Sequence, residues 1–351
     1  MKKITLCALL MTLFLLLSCG SGTTSAEDPK TTFLTSIANL GKGFLDVFTS
    51  LSDMVSGTLG IKAETKKSDI GNYFTKIAET MTSVKEKLQE QVATNGNYEK
   101  VKTVVDTFIT NTLDKIADGA KEAAKGAEGN DLIGNVAAAG AGAGVAGEAN
   151  AVQSLSEGIK SIVDVVLGDK GNPEAGDDKK AEDGDTARNN DGAGKLFAND
   201  NAGAADAAKK SAADAAKAVG AVTGADILQA MVKNDGNASK LAKNNAAQVA
   251  GVAAPKDAEV AGGIALRAMA KNGKFANSSA ADDQGVIATT VKRVAISAVT
   301  KALGTLTIAI RNTVDSGLKT ISDALAAVTQ EDKSADSTTP TESTASGQNS
   351  K

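Results

Sequence analysis

Between Val291 and Leu325 the chain repeats one spacing without a break. Val291, Val294, Ala298, Ala302, Leu306, Ile310, Val314, Leu318, Ile321 and Leu325 recur at steps of three and four residues. The pattern lasts about ten turns of a 3.6-residue helix, and no proline interrupts it. Only a helix lays such residues on one face. The spacing therefore predicts one long helix, with Gly304 or Gly317 as the places for a bend.

Other runs share the period. Phe33, Leu34, Ile37, Leu40, Phe44, Phe48, Leu51 and Val55 form the first, after a small, polar stretch. Ile70, Tyr73, Phe74, Ile77, Met81, Val84, Leu88 and Val92 form the second, which stops at the helix-ending pair Asn95-Gly96. Val101, Val104, Val105, Phe108, Ile109, Leu113 and Ile116 form the third; Leu155, Ile159, Ile162, Val163, Val166 and Leu167 form the fourth. A single apolar stripe on each long helix implies a bundle. No sustained apolar–polar alternation accompanies them, so the expected fold class is all-α, mostly helical, with few or no strands.

The amino terminus has its own logic. Met1-Lys2-Lys3 is a positive n-region, and Ile4 to Leu17 is almost wholly apolar. A span of the roughly 30 Å bilayer core needs about 20 apolar residues, so this run is short for a span and right for a signal peptide. It ends Leu16-Leu17-Ser18-Cys19-Gly20, a bacterial lipobox with a bulky residue at the position before Ser18. The expected chemistry is a diacylglycerol thioether on Cys19, cleavage between Ser18 and Cys19, and N-palmitoylation of the freed amine. Each buried CH₂ contributes about 0.8 kcal/mol, and stable anchoring takes more than one chain.

After cleavage no other cysteine remains, since Cys7 lies in the signal, so no intramolecular disulfide can form. The chain has no His and no Trp and only 2 Tyr. Packing must come from Ala, Val, Ile and Leu. A net charge of −4 argues against nucleic acid as a partner. The expected organisation is a signal peptide over 1–18, a flexible tether over 19–30, a helical domain over 31–328 and a polar disordered tail over 329–351. Within the domain, 169–194 is rich in Gly, Asp, Asn and Lys, lacks Leu, Ile and Val, and reads as an exposed loop.

Two internal echoes stand out. Leu228-Gln229-Ala230-Met231-Val232-Lys233-Asn234-Asp235-Gly236 resembles Leu266-Arg267-Ala268-Met269-Ala270-Lys271-Asn272-Gly273. Each reads as a short helix ended by a glycine in the left-handed region. Gly194-Lys195-Leu196-Phe197-Ala198-Asn199 likewise echoes Gly273-Lys274-Phe275-Ala276-Asn277.

Few constellations carry chemistry. Gly142-Ala143-Gly144-Val145-Ala146-Gly147 fits GxGxxG, with Asp164 near the spacing of a ribose-binding acid. The preceding Val136 to Ala141 does not read as the buried strand that motif needs, so close helix packing or a surface loop is the better reading. Without His there is no Ser-His-Asp or Cys-His system and no His-type zinc site. Asp177-Asp178 and Asp282-Asp283 read as solvated loop acids, and Lys292-Arg293 as an exposed charge pair on the long helix. No catalytic, cofactor or metal residues are expected.

The lipobox start, the stretch from Ile264 to Ala276 and the segment Leu306 to Asp315 together resemble one family. It is the variable large proteins of relapsing-fever Borrelia, which are related to the variable surface lipoprotein of the Lyme spirochaetes. The resemblance implies a non-enzymatic antigen anchored in the outer membrane, facing outward and exchanged among variants to escape host antibody. It implies an elongated helical bundle with both long terminal helices near the membrane and a loop-rich distal region. Cys19 matches the lipid-bearing cysteine, Leu266 to Ala276 resembles an invariant segment, and Asp169 to Gly194 falls where variable surface is expected. Membrane lipid and host antibodies are the implied partners. An adhesin role toward host surface or plasma ligands, and a homo-oligomer, stay open.

Overall fold

The computed structural model describes residues 29–56, 60–94, 99–189, 191–281 and 285–328. Ser18, Cys19, most of the 19–30 tether, the 329–351 tail, the Asn95-Gly96 pair and Asp282-Asp283 lie outside the described residues. In chain order the helices are α1 (Pro29–Ser56), α2 (Lys67–Thr94), α3 (Glu99–Phe108), α4 (Asp114–Gly126), α5 (Ala149–Val166), α6 (Ala205–Ala221), α7 (Gly224–Val232), α8 (Asn237–Lys243), α9 (Asp257–Met269) and α10 (Val286–Ala326). A π-turn at Ile109–Leu113 joins α3 to α4, and a 3₁₀ turn spans Gly192–Phe197. Among the described residues extended pairing is limited to isolated bridges, so the fold class is all-α.

Helix α10 has 41 residues, a length of about 60 Å at 1.5 Å per residue. Every stripe position from Val291 to Leu325 is buried along it. The helix runs unbroken through Gly304 and Gly317, so neither glycine interrupts it. Gly317 is there for space: a Cβ at this position would overlap the ring of Phe108 from α3.

Helix α1 packs antiparallel to the second half of α10. Lys30 Nζ donates to the carbonyls of Ala326 and Val328, both at 3.0 Å. Gly41 faces Leu318, and Val55 faces Gly304. The start of α1 and the end of α10 therefore lie side by side. Helix α2 is antiparallel to α4: Gly71 sits against the Ala127 carbonyl, while Lys85 pairs with Asp114 at 2.7 Å. Tyr73 of α2 points into the same core and hydrogen-bonds Thr307 of α10 at 2.8 Å. Helices α4 and α5 meet where Gly119 and Gly158 face each other, and a Cβ on either would overlap the other's carbonyl. Such contact brings the two backbones together at the entropic cost of glycine in a helix.

The first half of α10 carries the rest of the chain. Lys301 Nζ donates to Val219 and Val222 carbonyls at 2.7 and 2.9 Å, capping α6. Gly224 at the start of α7 lies against Lys301 and Thr305. Helix α9 is buried along its whole length, with Gly262 against α7 and Gly263 against α8.

Two readings change. The left-handed residues that end the echoing helices are Asp235 (φ 50°) and Asn272 (φ 66°), each one before the glycine. Short polar side chains tolerate that region. Gly273 is required for space instead, because a Cβ there would overlap the Arg267 carbonyl. The second change is α6, whose Ala-rich face gave no apolar stripe to read, yet Ala208, Ala212, Ala215 and Ala218 are buried.

Candidate functional site

The segment from 168 to 191 holds no helix and is mostly exposed. Its centre folds back on itself, with Lys179 bridging Ala187 in antiparallel fashion. Lys180 N–H donates to Thr186 at 2.9 Å, and Arg188 N–H to Asp178 at 2.8 Å. At the tip, Asp183 accepts from the Asp185 and Thr186 amides at 3.0 and 2.9 Å and from the Thr186 hydroxyl at 2.6 Å. Those bonds to its anionic form hold the Asp183 carboxyl down at about 2. Gly184 (φ 73°) supplies the left-handed step this turn needs.

This segment is not exposed throughout, as its composition suggested. Arg188 is fully buried. Its Nε donates to both oxygens of Asp214 at 3.0 and 2.9 Å, and its Nη2 to Asp257 at 2.6 Å. Nη1 donates to the carbonyls of Asp177 and Pro255 at 3.0 and 3.3 Å. Burial alone would lower this guanidinium, but the Asp214 and Asp257 carboxylates outweigh it and hold it above its ordinary value. The two carboxylates also grip the loop backbone: Asp214 accepts from Ala181 and Ala193 amides at 3.0 and 2.8 Å, and Asp257 from Asp177 at 2.9 Å.

Helix α6 supplies most of this support from one face. Lys210 pairs with Glu182, Asp214 with Arg188, and Lys217 with Asp177. Positions 210, 214 and 217 are one turn apart on a helix. That spacing within an Ala-rich run was the signal available in the sequence, and it was missed. Asp257 opens α9, where a negative charge also favours the helix N-terminus. Asp177 remains about half exposed, in keeping with a solvated loop acid, although Lys217 pairs with it. An open cavity of about 390 Å³ lies beside the loop, bordered by Lys180, Glu182, Asp191, Lys195 and Lys210.

The stretch from Leu266 to Ala276 is mostly buried. Arg267 is fully buried and meets no carboxylate among the described residues. It donates instead to five carbonyls: Ala242, Phe197, Lys274, Leu241 and Asn244, at 3.2, 3.0, 3.4, 3.2 and 2.7 Å. Leu241 and Ala242 belong to the last turn of α8, whose carbonyls have no helical donor four residues on. Burial pulls Arg267 down to about 9, which still leaves it a cation at neutral pH. Its guanidinium carbon lies 5.1 Å from the Phe197 ring centre. Phe197 in turn meets Phe275 edge-on, with centroids 6.0 Å apart. The two Lys-(Leu)-Phe-Ala echoes are therefore packed against each other, and Ala276 N–H donates to the Leu196 carbonyl at 2.9 Å.

The GxGxxG stretch takes its glycines from the same packing. A Cβ on Gly142 would approach Asn201 and the carbonyls of Asn277 and Ser278; one on Gly144 would overlap the Ala198 carbonyl. Val145 bridges Lys274, so the motif is wedged against protein backbone where a phosphate would have to sit. Asp164 lies on α5 and pairs with Lys160 one turn away, as a surface charge. Lys292 and Arg293 are exposed on α10. Among the described residues no group of three or more His, Cys, Asp or Glu is placed to hold a metal.

The family model described as Borrelia lipoprotein matches residues 44–325. Variable large protein 4 of Borrelia hermsii is 54% identical, over 97% of this chain and 98% of its own. Variable large protein 17 of the same organism is 53% identical over 98% of each chain. A third relative, variable large protein 14, is 34% identical over 91% of this chain and 92% of its own. The crystal structure of the Lyme disease variable surface antigen VlsE of Borrelia burgdorferi is similar with a TM-score of 0.63 at 32% identity. It covers 84% of this chain and 99% of that one.

Proposed function

The chain belongs to the Borrelia lipoprotein family, and from that premise we propose that it is a variable surface antigen with no catalytic task, displayed on the outer membrane by a lipid on Cys19. The observation that carries this reading is identity above 50% over nearly the whole length to two variable large proteins. Exchange among such variants moves the cell out of reach of host antibodies raised against the previous one.

The physical design supports the reading. Lys30 ties the start of α1 to the end of α10, so a lipid on Cys19 holds both ends of the 31–328 antigen domain toward the membrane. The exposed 181–186 segment rests on buried partners. Exposed loop residues contribute little core energy, so their side chains can change while Arg188, Asp214 and Asp257 keep the frame. Three acyl chains on Cys19 would hold the protein for its lifetime.

Antisera raised against this variant should label intact cells that express it and miss cells that express sister variants. Equal labelling of every sister variant would overturn the proposal. Protease treatment of intact cells should remove the exposed segment, and Cys19→Ala should abolish metabolic palmitate labelling and surface display.

A further inference from the structure

Lys67 opens α2 and is fully buried. Its amine donates to the carbonyls of Arg267 and Ala268 at 3.2 and 2.6 Å, in the last turn of α9. Its backbone N–H donates to Asp131 at 2.9 Å, which pins the adjoining 129–133 segment to the same joint. These contacts bind the beginning of α2 to the end of α9, the helix that is buried along its whole length. Among the described residues no carboxylate lies within ion-pair distance of the amine.

The donor count matters here. A neutral amine has two N–H groups, and two carbonyls receive them. An ammonium has three, so one would be buried without an acceptor. The helix-end carbonyls favour a cation, and so does the charge of Asp131, while the Arg267 guanidinium opposes it. Burial is the largest influence and pulls Lys67 down to about 7. Other charges around the joint face elsewhere: Lys271 pairs with Glu128 and Glu148, and Asp69 accepts from the Lys66 amide.

We propose that Lys67 fastens α2 to α9 as an uncharged amine, and that its protonation loosens this joint. The closed joint binds the proton less tightly than an open one. Between about 7 and the ordinary lysine value of 10.5 the open form therefore carries more protons. Closure strengthens as pH rises through that window and is weakest below it.

Hydrogen exchange on the full chain reads this directly. At this joint the Lys271 amide donates from the end of α9 to Gly126, and the Ala270 amide closes the last turn of α9 on Leu266. Corrected for intrinsic rates, their protection should rise between pH 7 and 9, by up to about tenfold per unit for one linked proton. Lys67→Met, which keeps an unbranched stem and cannot titrate, should remove that slope. A slope that persists in Lys67→Met would overturn the proposal. Since that variant can fail to fold, the wild-type protein with ¹³C-labelled lysine Cε gives an independent answer. A Lys67 titration midpoint near 7 supports the uncharged joint, and a midpoint at the ordinary lysine value refutes it.

Discussion

Arg188 and Asp214 form a two-point ion pair, with Nε donating to both carboxylate oxygens at 3.0 and 2.9 Å and both side chains wholly buried. The pair fixes an exposed hairpin to a helix that comes after it in the chain. Breaking a buried pair from one side leaves an uncompensated charge and costs about 3–5 kcal/mol. Asp214→Ala also strands the Ala181 and Ala193 amides. We expect a loss of that order in urea unfolding, together with loss of exchange protection at those two amides. A change under about 1 kcal/mol would mean that the pair contributes little beyond a surface contact.

Two glycines of α10 should respond oppositely to alanine. Gly317→Ala drives a methyl into the Phe108 ring and should destabilise by about 1–3 kcal/mol. Gly304→Ala meets only Val55 Cγ1 at 3.8 Å and should stabilise by about 0.5–1 kcal/mol through helix propensity. Thermal melts of the two variants check the contrast. Phe108→Leu in the Gly317→Ala background should recover part of the loss.

Ser156 Oγ on α5 is buried without a hydrogen-bond partner. Removing an unsatisfied buried hydroxyl relieves its desolvation, a gain of about 1 kcal/mol. Ser156→Ala should therefore raise the melting temperature; a clear drop would show that the hydroxyl is satisfied in solution.

The hairpin tip depends on an ionised Asp183. Its carboxyl sits at about 2, below the ordinary 3.8, because the Thr186 and Asp185 donors bind the anion. A depressed carboxylate contributes fully above its ordinary value, and the contribution is lost as pH falls through the lower one. Carboxyl-carbon NMR should place the Asp183 midpoint near 2, with the Thr186 amide shifting alongside it. A midpoint at 3.8 would contradict the turn.

Much of the fold is legible because helical period is a local property. Phe33, Ile37, Phe44 and Phe48 on α1, and Val291 through Leu325 on α10, are buried where their spacing puts them. Residues at the margins of the stripes, such as Leu34, Leu40 and Val92, are only partly covered. The same local logic missed α6, since alanine on both faces leaves no contrast to read. It missed the hairpin anchor as well, because Arg188, Asp214 and Asp257 come from separate segments that only the folded chain brings together. The tight approaches Gly317 to Phe108 and Gly144 to Ala198 were equally invisible. A glycine in a sequence does not tell whether it serves a bend, a turn, a ligand or a neighbour.

The amino-acid sequence alone determined the long striped helices, the face each of them buries, the absence of a His-based site and the family likeness. All of these rest on residues near one another in the chain or on residue types. Tertiary structure decided which ionisable groups are buried and what meets them. Arg267 on five carbonyls, Lys67 on two and Arg188 between two aspartates each depend on desolvation and on partners from distant segments. Both are properties of the closed fold, because a charge is desolvated only once the whole chain has packed around it.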